Sequence, residues 1–176
     1  VWKDTGVRLK GETVWNLTVV FLQMWEASAF EKEHIDYLQY KKLPDKAGDT
    51  YCQVIADGPA FNPNNSIESV YNQMITFADE YLYITTPYLV LEDYMQQSLI
   101  EAVHRGVDVR ILTPYIPDKK YAKLLTNYNY GILLREGIRI YEYTPGFIHA
   151  KQILSENAAI VGTINMDYRS FYLHYE

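Results

Sequence analysis

The chain has 176 residues, of which 48% are hydrophobic and 22% are charged, and its formal net charge is −6. This composition is typical of a globular domain and excludes a disordered chain, and the acidic balance argues against broad nucleic-acid binding, which needs a basic face. Every apolar run is shorter than the ~18 residues of a membrane span. Because the chain begins without methionine, we expect it to be part of a longer protein whose membrane anchor lies outside it.

The N-terminal part is predicted to contain one strand and one amphipathic helix. Apolar and basic residues alternate near the end of residues 1–10, which predicts a strand. Thr13 is a predicted N-cap for a helix from about Val14 to Phe30. This helix has an apolar stripe at helical spacing, which we interpret as core packing. The stripe consists of Val14, Leu17, Val20 or Phe21, Met24 and Trp25.

A polar stretch with a proline and a glycine predicts a linker at residues 44–50, between a first domain at 1–43 and a second at 51–176. In the second domain, predicted strands and helices alternate, which implies an α/β fold with parallel pairing at its centre. The predicted strands are Tyr51–Ala56, Tyr81–Thr85, Val107–Thr113, Ile138–Tyr143 and Phe171–Tyr175, and the predicted helices are Ile67–Glu80 after a Ser66 cap, Glu92–Arg105 and Tyr121–Arg135. The single cysteine, Cys52, is interpreted as a core residue of the first of these strands.

The candidate chemistry is concentrated near the end of the chain. His149 and Lys151 are two residues apart, so in a strand they would share one face. After a predicted hairpin, Gly162-Thr163-x-Asn165 returns an amide and a hydroxyl to the same edge. An imidazole, a cation and an amide together suit a phosphate that the imidazole attacks or protonates. A lone His-x-Lys pair is a weak signal, and the downstream Gly-Thr-x-Asn makes it much stronger.

Glu176 is the candidate partner of this histidine. It closes the predicted last strand and is expected to reach the far nitrogen of His149, where a carboxylate would support the imidazolium. The alternative is an exposed carboxylate at the end of a strand. His174, two residues earlier, is interpreted as an ordinary strand residue.

The pair His149-x-Lys151 followed by Gly162-Thr163-x-Asn165 resembles the signature of the phospholipase D superfamily. The segments YLYITTPYLV, RGVDVRILTP, IPDKK, GIRIYEYTPGFIHAK and VGTINMDYRSFYLHYE are similar to the second half of bacterial cardiolipin synthases. The opening VWKDTGVRLKGETV is similar to the segment that follows their first catalytic motif. The resemblance implies a phospholipase D-like α/β/α sandwich around a mixed, largely parallel β-sheet, with 1–43 ending a first repeat and 51–176 forming a second.

The resemblance also implies the chemistry. Two His-x-Lys motifs form one site, in which one histidine becomes a phosphohistidine and the other acts as general acid and base. It assigns the acid/base role to His149, binding of phosphate oxygens to Lys151 and Asn165, and orientation of His149 to Glu176. The implied mechanism uses no metal and no cofactor. Substrate contacts are predicted for Thr163, Tyr88 and Phe147, with ordinary packing as the alternative for the two aromatic residues.

The implied activity is transfer of a phosphatidyl group between two phosphatidylglycerol molecules to make cardiolipin at the bacterial cell membrane. The first-motif half of the site would come from upstream residues or from a second copy in a homodimer. The alternatives are another phosphodiesterase of the superfamily, such as a phospholipase or phosphatidylserine synthase, or a catalytically degenerate domain.

The turn between the two halves of the motif departs from the family pattern. Glu156 stands where the family has aspartate, and the interval from Lys151 to Gly162 is one residue shorter. Gly6 also stands where the family often has histidine. The altered turn is the main support for a degenerate domain.

Overall fold

The chain forms two compact units, Val1–Gly6 together with Asp57–Glu176, and Val7–Ala56. The predicted division into repeats at 1–43 and 51–176 stays a prediction, and residues 44–47 of the predicted linker lie outside the described residues. The computed structural model describes residues 1–29, 34–42, 48–58 and 65–176.

The larger unit carries the alternating helices and strands that the sequence predicts. Its helices are α2 (Ser66–Thr76), α3 (Asp93–His104), α4 (Lys120–Arg135) and α5 (Tyr168–Tyr172). Its strands are β1 (Trp2–Lys3), β2 (Tyr81–Thr85), β3 (Leu89–Val90), β4 (Asp108–Pro114), β5 (Arg139–Tyr143), β6 (Phe147–Ile148), β7 (Gln152–Ser155), β8 (Ala159–Val161) and β9 (Met166–Asp167). The first helix of the chain, α1 (Thr13–Ser28), belongs to the smaller unit.

A five-stranded sheet with the order β5-β4-β2-β7-β8 is the framework of the larger unit. Strands β2, β4 and β5 run parallel, whereas β7 pairs antiparallel with both β2 and β8. The predicted mixed, mostly parallel α/β fold is therefore confirmed. Short parallel pairs β1–β6 and β3–β9 lie beside this sheet in the same unit.

The core of the larger unit follows from the apolar patterns of its elements. The central strands β2 and β4 alternate buried with half-buried residues, and α3 buries one apolar face, formed by Met95, Leu99, Ile100 and Ala102. Four side chains, one each from β2, β4, α3 and β7, are fully buried: Leu82, Ile111, Leu99 and Ile153. Gly106 and Gly137 follow α3 and α4 with positive φ angles of 99° and 94°, as expected for helix C-caps.

Three predictions for the larger unit are wrong. Residues 168–172 form α5 instead of leading into a strand at 171–175, because Asp167 caps a helical turn by accepting from the Ser170 amide at 2.8 Å. The helix α2 has Asn65 at its N-cap position, with a φ of 49° in the left-handed region, and it ends at Thr76. The prediction placed the cap at Ser66 and the end at Glu80. His149 and Lys151 lie between β6 and β7 rather than inside a strand.

The smaller unit is built on α1 (Thr13–Ser28) and a 3₁₀ helix at Tyr37–Tyr40. The Glu26 carboxylate joins them by accepting from the Ile35 amide at 3.1 Å and from the Tyr37 hydroxyl. The predicted N-cap is wrong, since the Thr13 hydroxyl donates to the Cys52 carbonyl at 3.3 Å instead.

Four further predictions for this unit are wrong. The apolar stripe of α1 is not core, because Val14, Leu17, Met24 and Trp25 are exposed and Leu22 is the buried residue of this helix. Residues 7–10 and 51–56 form no strand, and Cys52 is exposed. Apolar composition alone does not make a strand, which needs a partner strand for its backbone.

Candidate active site

The register of the sheet brings the two halves of the motif to one edge. Thr85, at the carboxyl end of β2, pairs with Gln152, the first residue of β7, and Gln152 pairs with Val161 at the end of β8. The Gly162 amide then donates to the Lys151 carbonyl at 3.2 Å. The hairpin therefore brings Gly162 beside Lys151. The roles of Thr163 and Asn165 at this edge stay predictions. In open α/β sheets, this edge beyond the carboxyl ends of parallel strands is where sites form.

His149 is held by the N-terminal segment of the chain. Its amide donates to the Lys3 carbonyl at 2.7 Å, which extends the β1–β6 pairing. Its Nδ1 lies 2.9 Å from Asp4 Oδ2, and its ring lies 4.8 Å from the Trp2 ring, centroid to centroid. The side chain keeps 33% exposure. The ring is thus oriented on one side and accessible on the other.

The hydrogen bond with His149 lowers the pKa of the Asp4 carboxyl below its ordinary value, and Lys151 adds to this shift. Asp4 is therefore an anion beside the imidazole. A carboxylate in this position fixes the ring tautomer and stabilises an imidazolium.

Gly146 allows the N-terminal segment to lie this close. A Cβ atom at this position would stand 2.4 Å from the Val1 carbonyl oxygen, which itself accepts from the Phe147 amide at 3.3 Å. Only a residue without a side chain leaves room for that approach. The Asp4–His149 contact therefore depends on a glycine just before β6.

Lys151 is buried, with 6% exposure, and its Nζ donates to the His149 carbonyl at 2.5 Å. Burial lowers the pKa of its ammonium, and the nearby carboxylates of Asp4 and Glu176 oppose that shift. A buried cation next to the imidazole suits an anionic group bound at this edge.

Asn165 is placed by the start of α5. Its backbone amide and its Nδ2 both lie 3.1 Å from the Ser170 hydroxyl oxygen. Asn165 Oδ1 is buried and has no hydrogen-bond partner among the residues that the structure describes. Asp167 caps α5 through the Ser170 amide, and the Ser170 hydroxyl thus holds Asn165.

The three predicted substrate contacts have different surroundings. Thr163 is exposed. Phe147 is buried and packs 5.0 Å from the Trp2 ring, beneath His149. Tyr88 donates to Asp118 Oδ2 at 2.6 Å, with Lys119 Nζ 5.7 Å from its ring centre. Their contacts with substrate stay predictions.

Glu176 is not the carboxylate that bonds to His149 Nδ1, because Asp4 holds that position. Its backbone exchanges two hydrogen bonds with Asp57, at 3.0 and 3.1 Å, and its carboxylate lies 3.6 Å from His174 Nδ1. The Glu176 side chain is only 8% exposed, and its charge acts on Lys151. A catalytic role for Glu176 stays a prediction.

The altered turn is well anchored. The Glu156 carboxylate accepts from the backbone amides of Asp79, Glu80 and Tyr81 at 3.0, 3.3 and 3.3 Å. These amides, the one at Asp79 foremost, lower the pKa of Glu156 to about 2. Glutamate therefore ties the β7–β8 turn to the start of β2, which weakens the case for a distorted, degenerate motif.

Sequence reasoning missed Asp4 and Trp2 as neighbours of the histidine. They are separated from His149 by almost the whole chain, so no local periodicity connects them. The one signal was the similarity of the opening segment VWKDTG to sequence beside a catalytic motif.

A histidine, a buried lysine and an asparagine near one edge of a mixed α/β sheet are similar to the arrangement expected of the phospholipase D superfamily. The fold agrees: a phospholipase D family member, Nuc, from Salmonella typhimurium aligns with a TM-score of 0.56. The alignment covers 69% of this chain and 78% of that protein at 18% identity, so it shows the fold alone.

Residues 71–176 match the family model described as "Cardiolipin synthase, PLD-like domain", and the chain belongs to this family. Over 99% of the chain, it is 43% identical to an uncharacterized protein of Streptococcus mutans serotype c and 38% identical to cardiolipin synthase 2 of Bacillus cereus. The chain spans 38% and 34% of the lengths of these two relatives. In the described part of the chain, no helix has the length and apolarity to cross a membrane.

Proposed function

We propose that this chain supplies half of the active site of a phosphatidyltransferase that makes cardiolipin from two phosphatidylglycerol molecules. The observation that carries the proposal is the imidazole of His149, held by Asp4 at 2.9 Å and adjoining the buried Lys151. Membership of the cardiolipin synthase family supports the substrate class. The second half of the site would come from upstream residues or from a second copy of the chain.

In the first step, a histidine of the other half attacks phosphorus of one phosphatidylglycerol. A P–N bond forms and the P–O bond to glycerol breaks. The imidazolium of His149 gives its proton to the departing glycerol oxygen. Asp4, ionised beside the ring, stabilises that imidazolium before the transfer.

In the second step, the now neutral His149 removes a proton from a glycerol hydroxyl of the second phosphatidylglycerol. The oxygen attacks the phosphohistidine, so a P–O bond forms, the P–N bond breaks and cardiolipin leaves. One imidazole thus serves as acid and then as base, which requires that it keep one orientation through both steps.

Lys151 and Asn165 would bind the non-bridging oxygens of the transferred phosphate. The lysine contributes a buried cation, which stabilises charge on these oxygens strongly where water is excluded. With its amide reversed, Asn165 would accept from the Ser170 hydroxyl through its oxygen and direct Nδ2 to the phosphate. That orientation also satisfies the buried Oδ1.

The substrate is a membrane lipid, so we place the reaction at the bacterial cell membrane, with phosphatidylglycerol and the membrane surface as partners and without nucleic acid. The proposed contacts for the glycerol part of the substrate are Thr163, which is exposed, and Tyr88, which lies between β2 and β3.

The test uses the full-length protein and phosphatidylglycerol labelled in its acyl chains. We expect cardiolipin and free glycerol as products. Phosphatidic acid in place of cardiolipin would identify a hydrolase of the same superfamily. No turnover of any phosphodiester would identify a degenerate domain.

A second substrate tests the role of His149. In a phosphatidyl p-nitrophenol, the leaving group departs without protonation. His149→Ala should therefore still release a burst of nitrophenolate and accumulate protein that carries the phosphatidyl group on the attacking histidine. The same variant should form no cardiolipin from phosphatidylglycerol. Loss of the burst in His149→Ala would instead make this residue the nucleophile.

A further inference from the structure

The hydroxyl of Thr86 is buried at the carboxyl end of β2, one residue beyond the strand. The residue is 1% exposed. Its backbone amide donates to the Leu112 carbonyl of β4 at 3.1 Å, which continues the hydrogen bonding between β2 and β4. The position of the hydroxyl is therefore set by the central parallel strands of the sheet.

This hydroxyl connects two segments that are far apart in the chain. Its oxygen accepts a hydrogen bond from the Met166 amide at 3.1 Å, and it donates to the Tyr88 carbonyl at 2.8 Å. A threonine hydroxyl has one hydrogen to donate, and here that hydrogen and an oxygen lone pair are both used. The Met166 amide is buried, so the Thr86 hydroxyl supplies the partner that bulk water cannot.

The two connected segments carry residues for which substrate contacts are predicted. Met166 directly follows Asn165, the predicted ligand of the phosphate, and Tyr88 is a predicted contact of the glycerol part. The segments also pair with each other, since β3 and β9 run parallel with Leu89 opposite Met166. Each of these strands has two residues, which is too short to fix its own position without further contacts.

The strand β3 is also held by α4. The Thr126 hydroxyl oxygen accepts from the Leu89 amide at 3.3 Å, and Asn129 Nδ2 donates to the Leu89 carbonyl at 3.1 Å. All three residues are buried. The Thr86 hydroxyl thus links a strand that is fixed by α4 to the segment that carries Asn165.

We propose that Thr86 is a positioning residue of the phosphoryl-transfer site. Its hydroxyl fixes the backbone at Met166, so that the preceding Asn165 stays at the place where it binds the transferred phosphate. In this role Thr86 acts through Asn165 and does not itself contact the substrate. The effect on catalysis rests on the proposed function, whereas the restraint on the Met166 amide does not.

The kinetic test uses the full-length protein and phosphatidylglycerol. Thr86→Val exchanges the hydroxyl for a methyl group and leaves the Met166 amide without its partner. We expect kcat to fall by about 10–100-fold with little change in KM, because displacement of a phosphate ligand weakens transition-state binding most. Thr86→Ser keeps the hydroxyl and should retain kcat within about threefold of wild type.

Thr113→Val is the matched control. Thr113 is fully buried near the carboxyl end of β4, and its hydroxyl pairs with the Tyr130 hydroxyl of α4 rather than with the Asn165 segment. This variant also removes a buried hydroxyl and should lower Tm about as much as Thr86→Val does, but its kcat should be unchanged. Thermal unfolding of each variant verifies that it folds.

Hydrogen exchange provides a readout that does not depend on turnover. Mass spectrometry with fragmentation to single residues measures the Met166 amide in the full-length protein. In Thr86→Val this amide should exchange at least about fivefold faster than in wild type, since it loses a buried hydrogen bond. Thr113→Val should leave the exchange rate of Met166 unchanged.

Unchanged kcat in Thr86→Val, or an equal loss in Thr113→Val, would overturn the positioning role. So would a Thr86→Ser variant as impaired as Thr86→Val, since the shape of the side chain rather than its hydroxyl would then matter.

The two proposals fail separately. A wild type that releases phosphatidic acid removes the proposed function, but slower hydrolysis and faster Met166 exchange in Thr86→Val would still support the positioning role. Cardiolipin formation by a wild type whose Met166 exchange is unaffected by Thr86→Val removes the positioning role alone.

Discussion

The two compact units use their apolar residues in opposite ways. In the Val1–Gly6 and Asp57–Glu176 unit, apolar side chains fill a core around a five-stranded sheet. In the described part of Val7–Ala56, Leu22 is the one buried apolar residue, and α1 exposes its aromatic stripe. Burial in the first unit stabilises a fixed site, whereas exposure in the second leaves apolar area available for a contact.

A phosphoryl-transfer site needs side chains held in place by packing and hydrogen bonds, and the larger unit has these at the edge of its sheet. The predictions below test this contrast, in order of decreasing expected effect.

The largest effect should come from the imidazole. In the full-length protein, His149→Ala should lower the rate of cardiolipin formation by at least about a thousandfold, because general acid–base catalysis is lost. His104→Ala removes an exposed histidine that lies 3.1 Å from Glu136, and it should retain nearly full activity. Comparable losses in both variants would show that the effect is structural.

Core truncation compares the stability of the two units. Leu99→Ala removes a fully buried side chain of α3 and should lower the free energy of unfolding by ~2–5 kcal/mol. Leu22→Ala should lower the free energy of unfolding by less than about 2 kcal/mol, since half-exposed neighbours can relax into the space that the side chain leaves. Urea denaturation measures both values, and an equal cost would show that the smaller unit has a core of its own.

Asp4 tests whether the N-terminal segment serves the site. Asp4→Asn should lower kcat by about 10–100-fold with little change in KM, because orientation and stabilisation of the imidazolium matter in the transition state. Asp79→Asn makes the same change at an exposed position and should leave kcat and KM unchanged. A higher KM with unchanged kcat would place Asp4 in substrate binding instead.

The smallest effect concerns the turn at Glu156. Its pKa is depressed from 4.5 to about 2, so the carboxylate stabilises the folded state at pH above 4.5, and this contribution is lost as the pH falls to about 2. Glu156→Gln should therefore lower Tm at pH 6, and its difference from wild type should disappear near pH 2. A difference independent of pH would show that the charge is not what anchors the turn.

Much of the larger unit could be predicted from local sequence. The alternation of buried strands and amphipathic helices was correct from Tyr81 to Tyr143, because each element carries its own period and its own stop, such as Gly106 or Gly137. The motif residues His149, Lys151 and Asn165 were recognisable because their spacing resembles the signature of the phospholipase D superfamily. The predictions were wrong where a local pattern is compatible with two structures. Residues 168–172 form a helix instead of leading into the predicted strand, because the Asp167 cap stabilises the helical turn.

The sequence by itself determined the family, the alternating architecture and the residue types of the site. The tertiary structure decided that Asp4 rather than Glu176 bonds to the Nδ1 of His149, and that the α1 stripe is surface rather than core. The physical reason is the same in both cases. Periodicity shows which face of a helix or strand is apolar. Contacts between residues far apart in the chain depend instead on strand register and on which elements pack against each other.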